Sequence, residues 1–244
     1  MLEGQTAIVT GAARGIGRHA AQTLGEQGAK LAMVDIDKAR IEKAAAELAA
    51  AGIEALPIEA DVREEVSVKA MVDTALGHYG KIDILVNNAA VVTHFQWGNV
   101  PIWPKVKDMD LGFWDKVIHT NLGGTFLCTK HIIPHMEKQR SGHVINLYGG
   151  GNPERIGACA YSVTKDAIRC FTQFVAEEER DSGICVVIVS PGHAIATEDA
   201  PEEARGRLPG PAILEDVFVS AALADMKHTG HMFEKKDGQL TVTA

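Results

Sequence analysis

The feature that most constrains the fold is an alternation of short apolar runs with stretches of helical periodicity, repeated almost from end to end. The runs are rich in Val, Ile and Leu, which is typical of strands that are covered on both faces. Seven strands are predicted, at residues 6–9, 31–34, 55–58, 84–86, 144–147, 186–189 and 231–234. Such strands form a parallel sheet between two layers of helices.

Apolar residues recur at helical spacing between these runs and mark the helices that would cover the sheet. Three helix faces are formed by Ile41, Ala44, Ala45 and Leu48, by Val68, Met71, Val72, Ala75 and Leu76, and by Ile118, Leu122 and Phe126. The pattern predicts a three-layer, doubly wound α/β fold of Rossmann type with about seven strands. No repeat, linker or break in composition divides the series, so residues 1–244 are predicted to form a single domain.

Charge and composition exclude several classes of partner. The chain has 24 Lys and Arg against 32 Asp and Glu, a net charge of −8, which is the wrong sign for a nucleic-acid-binding protein. No apolar stretch approaches the roughly 18 to 20 residues that span a bilayer. Four cysteines without a C-x-x-C pair indicate neither a disulfide framework nor a metal site. Because the N-terminus lacks a basic segment followed by an apolar run, we expect a cytoplasmic protein.

A glycine-rich turn follows the first predicted strand, in the segment Thr10-Gly11-Ala12-Ala13-Arg14-Gly15-Ile16-Gly17. Glycines permit a tight turn and a close approach to a pyrophosphate, and the first N–H groups of the next helix can bind that anion. The candidate cofactor-binding residues here are Gly11, Arg14, Gly15, Ile16 and Gly17. The alternative interpretation is a tight strand-to-helix turn in an enzyme that binds no nucleotide.

A carboxylate at the end of the second strand, Asp35, strengthens the dinucleotide interpretation. In that position it can accept hydrogen bonds from both hydroxyls of the adenosine ribose, and its charge repels a 2′-phosphate. Arg14 points the other way, because a cation in the glycine-rich turn could bind that phosphate. Alternatively, Asp35 and Asp37 merely cap the helix that starts near Lys38. We weigh Asp35 more heavily, so NAD(H) is favoured over NADP(H).

The pair most suggestive of chemistry is Tyr161 and Lys165, which open a predicted helix and project from the same face at i and i+4. A phenol with a pKa near 10 is a poor base at neutral pH, but a neighbouring ammonium stabilises the phenolate and lowers that pKa. The pair can therefore move a proton to or from an oxygen atom. The alternative is a half-buried tyrosine beside a surface lysine.

These motifs, taken together and in order, resemble the short-chain dehydrogenase/reductase family. The matching segments are Thr10-Gly11-x-x-x-Gly15-x-Gly17, Asp61-Val62, Asn87-Asn88-Ala89-Ala90, Asn121, Tyr161-x-x-x-Lys165 and Pro191-Gly192. They cover about residues 4–240 at close to the family's spacing. The resemblance implies a Rossmann-type dinucleotide-binding enzyme.

The resemblance also implies a role for each matching residue. Tyr161 would be the general acid/base, and Lys165 would bind the nicotinamide ribose and tune Tyr161. Asn121 would anchor a water of the proton relay. The remaining cofactor contacts would come from Asp61 and Val62 at the adenine, Asn88 beside the fourth strand, and Pro191, Gly192 and Ile195 at the carboxamide. Family members pair their long helices, here 111–138 and 159–180, so a homodimer or homotetramer is implied.

The chain departs from the family after the fifth strand, where relatives carry a serine that binds the substrate oxygen. Counting back from Tyr161 places Tyr148 at this position, whereas aligning by the strand places Gly149 there. Either Tyr148 supplies a substitute hydroxyl, or the site lacks that donor and works more slowly, since losing one such bond costs about 10² to 10³ in rate.

A second departure is the run from Pro191-Gly192 to Thr197, which is one residue longer than usual and contains His193. Two irregular segments, 91–108 and 193–211, follow strand ends and are expected to form the walls and lid of the site. Phe95, Trp97 and Trp103 offer an aromatic wall for a partly apolar substrate, or else they simply pack within an extended loop.

The sequence thus predicts an NAD(H)-dependent oxidoreductase that interconverts a secondary alcohol and a ketone by hydride transfer, with a small-molecule substrate. The alternative is a dinucleotide-binding sensor or partner subunit with little turnover. A lyase or epimerase on the same scaffold is a third possibility, because fold does not determine function.

Overall fold

The computed structural model describes residues 1–92, 104–150, 154, 156–198, 200, 202–236 and 238–244. Within these residues the strands are β1 (Thr6–Thr10), β2 (Lys30–Asp35), β3 (Ala55–Glu59), β4 (Ile84–Asn87), β5 (Gly142–Leu147), β6 (Ile184–Ser190), β7 (Met232–Lys236) and β8 (Gln239–Thr243). They form one sheet in the order β3-β2-β1-β4-β5-β6-β7-β8. The first seven run parallel, and β8 pairs antiparallel with β7. The predicted α/β fold is confirmed.

The eighth strand, β8, was not predicted. Its register with β7 pairs Lys236 with Gln239. The sequence between these two residues is Asp237-Gly238, a dipeptide that favours two-residue hairpins. The turn signal was present, but β8 itself is short and mostly polar, so it lacks the apolar run by which the other strands were identified.

The helices cover both faces of the sheet. They are α1 (Gly15–Glu26), α2 (Lys38–Ala50), α3 (Glu65–Tyr79), α4 (Leu111–Ile118), α5 (Gly124–Gln139), α6 (Cys159–Glu178), α7 (Glu202–Arg205) and α8 (Glu215–Ala222). One buried cluster joins the sheet to α1, α2 and α8, and a second joins it to α3, α5 and α6. Neighbouring strand residues face opposite clusters, with Ile8 in the second and Val9 in the first. The core is therefore split into two layers by the sheet.

The segment 111–138, expected as one long helix, is two helices separated by a π-helical turn at His119–Gly123. A π turn adds a residue to the helical repeat and rotates the helix that follows. Phe126, predicted on the buried face, is consequently 47% exposed, while Cys128 and Ile132 are buried. The prediction for Phe126 was wrong because uniform helical spacing does not hold across this turn.

The strand order positions the site. The chain winds outward from β1 to β2 and β3, then returns to place β4 on the other side of β1. The loops after β1 and β4 consequently diverge and leave a crevice at the carboxyl ends of the strands, where ligands of open α/β sheets bind. Among the described residues, no helix is both long enough and apolar enough to cross a membrane.

Candidate active site

A cleft of about 1140 Å³ runs along the carboxyl ends of the strands. Twelve predicted site residues line it: Gly11, Arg14, Gly15, Ile16, Asp35, Asp61, Val62, Asn88, Tyr161, Pro191, Gly192 and Ile195. Three other predicted site residues, Gly17, Asn121 and Lys165, are not part of the lining. The aromatic residues Phe95, Trp97 and Trp103 lie outside the described residues.

The glycine-rich turn is closed by direct backbone contact. Gly11 has a φ of 64°, a conformation that favours glycine. A β-carbon on Gly17 would collide with the Gly11 carbonyl oxygen and with the Asn88 amide. That amide donates hydrogen bonds to the carbonyl oxygens of Thr10 and Gly11, at 2.9 and 3.1 Å. Gly17 and Asn88 therefore hold the turn against β4, which leaves the start of α1 facing the cleft.

Asp35 lies at the end of β2 and supports the same turn. One of its carboxylate oxygens accepts the Ala13 N–H at 3.2 Å, and the other accepts the Asp37 N–H at 3.1 Å. The cap of α2 is Asp37, whose side chain accepts the Arg40 N–H at 3.1 Å. The capping alternative therefore applies to Asp37, and Asp35 keeps its carboxylate at the cleft.

Asp61, which follows β3, forms an ion pair with Arg63 that was not predicted from the sequence. The Arg63 guanidinium donates from Nε to both Asp61 oxygens, at 2.9 and 3.0 Å, and from Nη2 at 2.5 Å. These hydrogen bonds lower the pKa of the Asp61 carboxyl. Both residues line the cleft together with Val62. The sequence does place Arg63 two residues after Asp61, but an acidic residue followed closely by a basic one is too common in loops to predict an ion pair.

Tyr161 and Lys165 come from the first half of α6, as predicted, and both are buried. The Lys165 Nζ lies 5.6 Å from the centre of the Tyr161 ring and donates to the Leu147 carbonyl oxygen at 2.8 Å. Burial lowers the pKa of the Lys165 ammonium to about 8. The alternative of a surface lysine is wrong, because the side chain of Lys165 lies behind Tyr161 with only 4% of the residue exposed.

Asn121 sits in the π-helical turn and is fully buried. Its Oδ1 accepts the Val91 N–H at 2.7 Å, and its Nδ2 donates to Val91 O at 3.3 Å and Thr164 Oγ1 at 3.1 Å. The side chain thus joins the loop after β4 to the helix that carries Tyr161. A π turn inside a helix is frequently found at functional sites.

Tyr148 and Gly149, the two candidate positions at the end of β5, have different surroundings. Tyr148 donates its hydroxyl to Asp166 Oδ1 at 3.0 Å, and burial, aided by that carboxylate, raises the pKa of the Tyr148 hydroxyl. A β-carbon on Gly149, in contrast, would lie 2.5 Å from the Tyr161 hydroxyl oxygen. Gly149 is therefore the residue that faces Tyr161.

The loop after β6 returns to the glycine-rich turn. Ile195 is buried, whereas His193 is exposed at the edge of the cleft. The Thr197 methyl group packs against Gly15, 3.2 Å from where a β-carbon of Gly15 would lie. Glu198 Oε2 accepts the Gly15 N–H at 2.9 Å. The sequence did not indicate this contact, since 183 positions separate the two residues.

The fold and the cleft are those of a known enzyme family. A family model described as short chain dehydrogenase matches residues 5–205, most of the chain. The chain belongs to this family. The family predicted from the sequence motifs is therefore confirmed.

Relatives and solved structures of the family resemble the chain over most of its length. A 3-oxoacyl-(acyl-carrier-protein) reductase of Staphylococcus aureus is 36% identical over 197 residues, covering 79% of this chain and 75% of the relative. The structure of a metagenomic short-chain oxidoreductase in complex with NADP is 30% identical, with a TM-score of 0.78 and 93% of each chain covered. A 3-ketoacyl-(acyl-carrier-protein) reductase from Brucella melitensis complexed with NADH is 29% identical, with a TM-score of 0.83, covering 96% of this chain and 97% of that one.

The chain is accordingly a short-chain oxidoreductase with the dinucleotide-binding fold of that family. Its structural relatives include complexes with NADP and with NADH. Family membership thus indicates a nicotinamide dinucleotide in general.

Proposed function

We propose that the protein is an NAD(H)-dependent dehydrogenase that interconverts a secondary alcohol and a ketone. The observation that carries the proposal is the Tyr161 side chain at the cleft with the Lys165 ammonium buried behind it. A positive charge in a site of low polarity stabilises the phenolate, so it makes Tyr161 a better acid/base near neutral pH. Because the pKa of Lys165 is about 8, this charge is present at neutral pH and is lost as the pH rises through that value.

The backbone of the glycine-rich turn and the start of α1 support binding of a dinucleotide in the cleft. The glycine-rich turn has no side-chain bulk at Gly11 or Gly17, and the amino end of α1 faces the cleft. When bound, the nicotinamide would supply or accept the hydride. Residues proposed to hold the cofactor are Gly11, Arg14, Gly15, Ile16 and Gly17 around the diphosphate, Asp35, Asp61 and Val62 on the adenosine side, Asn88 beside β4, and Tyr161, Lys165, Pro191, Gly192 and Ile195 on the nicotinamide side.

NAD(H) is proposed over NADP(H) because Asp35 places a carboxylate at the end of β2. Its oxygens already accept N–H groups from the glycine-rich turn and from Asp37, which orients the carboxylate and leaves lone pairs for ribose hydroxyls. A 2′-phosphate at that place would meet a like charge. Arg14 also lines the cleft and would have to offset this repulsion for NADP(H) to be preferred.

In the proposed reaction, Tyr161 exchanges the proton with the substrate oxygen. We assign the position of the family's serine to Gly149, and Tyr148 to the wall of the cleft, since the Tyr148 hydroxyl is engaged by Asp166. Asn121 would hold the π-helical turn and support the proton relay behind Lys165. A single tyrosine hydroxyl would then act on the substrate oxygen without a serine partner.

A dinucleotide-binding protein with little turnover is the second candidate. The observation that favours it is Gly149, because the position facing Tyr161 carries no hydroxyl. Against it stands the burial of Lys165, which costs stability and is difficult to explain unless its charge acts on Tyr161.

Assembly into a homodimer or homotetramer is proposed through α4, α5 and α6. Exposed apolar side chains on these helices include Leu111, Phe126, Val163 and Phe174. Contiguous exposed apolar residues commonly mark protein interfaces. We also propose that residues 1–244 form one domain and that the protein is cytoplasmic.

The test of the proposed function is a turnover assay with purified protein. NADH or NAD is mixed with a panel of ketones and secondary alcohols, including the 3-oxoacyl thioesters suggested by the named relatives, and NADH absorbance is followed. We expect turnover that is abolished in Tyr161→Phe. Binding of NADH without turnover on any member of the panel would favour the second candidate. Conversion of substrate without net change in NADH would indicate a lyase or epimerase.

A further inference from the structure

The amino end of α1 is occupied by a carboxylate from a distant part of the chain. Glu198 Oε2 accepts the N–H of Gly15, the first residue of α1, at 2.9 Å. Residue 198 belongs to the loop after β6, whereas Gly15 follows β1, and β4 and β5 lie between these two strands in the sheet. The contact therefore joins two loops of the proposed cofactor site that start from distant strands.

The helix does not supply this negative charge itself. The first turn of α1 contains no acidic residue, and the side chain of its N-cap residue, Arg14, makes no capping hydrogen bond. Helix α2, in contrast, is capped by its own Asp37. Free N–H groups and the partial positive charge at a helix start favour an anion, so the start of α1 is left available for one from elsewhere.

The loop around Glu198 is held in place on both sides of this residue. Ala196 donates its N–H to the Pro209 carbonyl oxygen at 2.8 Å, and Ala200 donates to Thr197 at 3.0 Å, which forms a turn around Glu198. The Thr197 methyl group packs against Gly15. The carboxylate is thus delivered to the helix start by a defined local structure, although it remains exposed to solvent.

We propose that Glu198 is an affinity-determining residue of the cofactor site, because its carboxylate takes the place at the start of α1 that the diphosphate of a dinucleotide requires. The inference rests on the proposed function. Binding then exchanges one anion for another, and Glu198 has to leave before the diphosphate can reach the Gly15 N–H. The exchange weakens binding in two ways, through the lost Gly15 contact and through repulsion between the carboxylate and the diphosphate.

The test compares Glu198→Gln with the parent and with a control, Glu203→Gln. Gln keeps the size of the side chain and removes the charge, while Glu203 lies nearby on α7 and is exposed. Dissociation constants and association rates for NADH are measured by fluorescence titration and stopped flow. We expect Glu198→Gln to bind NADH about three- to thirtyfold more tightly, with faster association, which is the range of a charge at a helix end. The control should match the parent.

If Glu198 instead helped to hold the cofactor, the change in NADH affinity would have the opposite sign. If Glu198 acts as a latch that closes the loop over a bound cofactor, Glu198→Gln will bind NADH more weakly and release it faster, and the proposal is overturned. Equal affinity in parent and variant overturns it as well. If neither protein binds NADH or NADPH, the proposed function itself fails and the inference fails with it. If the parent binds and Glu198→Gln does not bind more tightly, only the inference fails.

Discussion

The two halves of the cleft are built differently. The first half is formed by the loops after β1, β2, β3 and β4, and its turn is closed by short contacts, with the Asn88 amide on the carbonyl oxygens of Thr10 and Gly11. The second half is formed by the loops after β5 and β6. It contains Gly149, at the position proposed for the family's serine, and the loop that brings Glu198 to the start of α1.

This difference separates what the family shares from what is particular to this chain. The first half contains the residues proposed to bind a cofactor common to many enzymes, so its geometry has little freedom to vary. The second half is proposed to face the substrate, and loops of this kind are the part of a fold that varies most with function. We therefore expect the properties that distinguish this protein to depend on the loops after β5 and β6, and variants in both halves of the cleft test this expectation.

Tyr161→Phe is expected to reduce turnover by about 10²- to 10⁴-fold, because it removes the only group proposed to exchange a proton with the substrate. The ring stays in place, so folding and NADH binding should be preserved. Turnover and NADH affinity are measured on the same preparation. A turnover within a few-fold of the parent would show that the chemistry lies elsewhere in the cleft.

Lys165→Met is expected to abolish most turnover yet to stabilise the fold near neutral pH. The pKa of Lys165 is lowered from 10.5 to about 8 by burial, so its charge costs about 3 kcal/mol in the folded state. Below about pH 8 the parent bears this full cost. As the pH rises from 8 towards 10.5, the folded parent loses the proton before the unfolded chain does, and its stability increases.

Denaturant unfolding of both proteins at about pH 7 and about pH 9.5 measures this difference. The gain in the free energy of unfolding from Lys165→Met should be largest at about pH 7 and smaller at about pH 9.5. A gain in the free energy of unfolding that increases with pH would contradict the lowered pKa of Lys165. The hydrogen bond from Nζ to the Leu147 carbonyl oxygen is lost in the variant and reduces the gain.

Gly149→Ser is expected to lower turnover by about tenfold to a hundredfold, although it adds a hydroxyl at the position proposed for the family's serine. A β-carbon at this position would lie 2.5 Å from the Tyr161 hydroxyl oxygen, so the tyrosine has to shift. Gly149→Ala adds the same β-carbon without a hydroxyl and separates the two effects. Gly77→Ser, at a position in α3 with open space around it, is the control. A gain in turnover for Gly149→Ser would mean that the missing hydroxyl outweighs the crowding.

Asp35→Asn is expected to shift the ratio of NADH to NADPH affinity by about tenfold towards NADPH, since it removes one negative charge at the adenosine ribose. The variant keeps the size of the side chain. Asp37→Asn is the matched control, because Asn caps a helix about as well as Asp and the variant should leave the cofactor preference unchanged. Dissociation constants for both cofactors give the ratio. A parent that binds NADPH more tightly than NADH would transfer the role to Arg14.

Tyr148→Phe is expected to change kcat and kcat/KM by no more than a few-fold. Its hydroxyl donates to Asp166, so the substrate loses no hydrogen bond when it is removed. Steady-state kinetics on a substrate found in the panel measure both constants. A hundredfold loss in both, the scale of a lost donor to the transition state, would make Tyr148 the substitute for the serine.

Much of the fold was predictable because it depends on local pattern. Seven parallel strands follow from apolar runs of strand length, and the glycine-rich turn follows from residues that permit its backbone conformation. The burial of Phe126 was predicted wrongly, because the π turn at His119–Gly123 rotates the helix that follows it. Uniform periodicity cannot indicate where an extra residue enters a helical repeat.

The class of fold, the family and the chemical types of the candidate residues depend on spacing along the chain, so they were predictable from it. Which of these residues meet was settled by the tertiary structure. It placed Gly149 rather than Tyr148 opposite Tyr161, buried Lys165, and brought Glu198 to Gly15 across 183 positions. Contacts of this kind depend on the order of strands in the sheet and on the course of loops between them. No local pattern encodes these distances, because the free energy that sets them comes from packing of the whole chain.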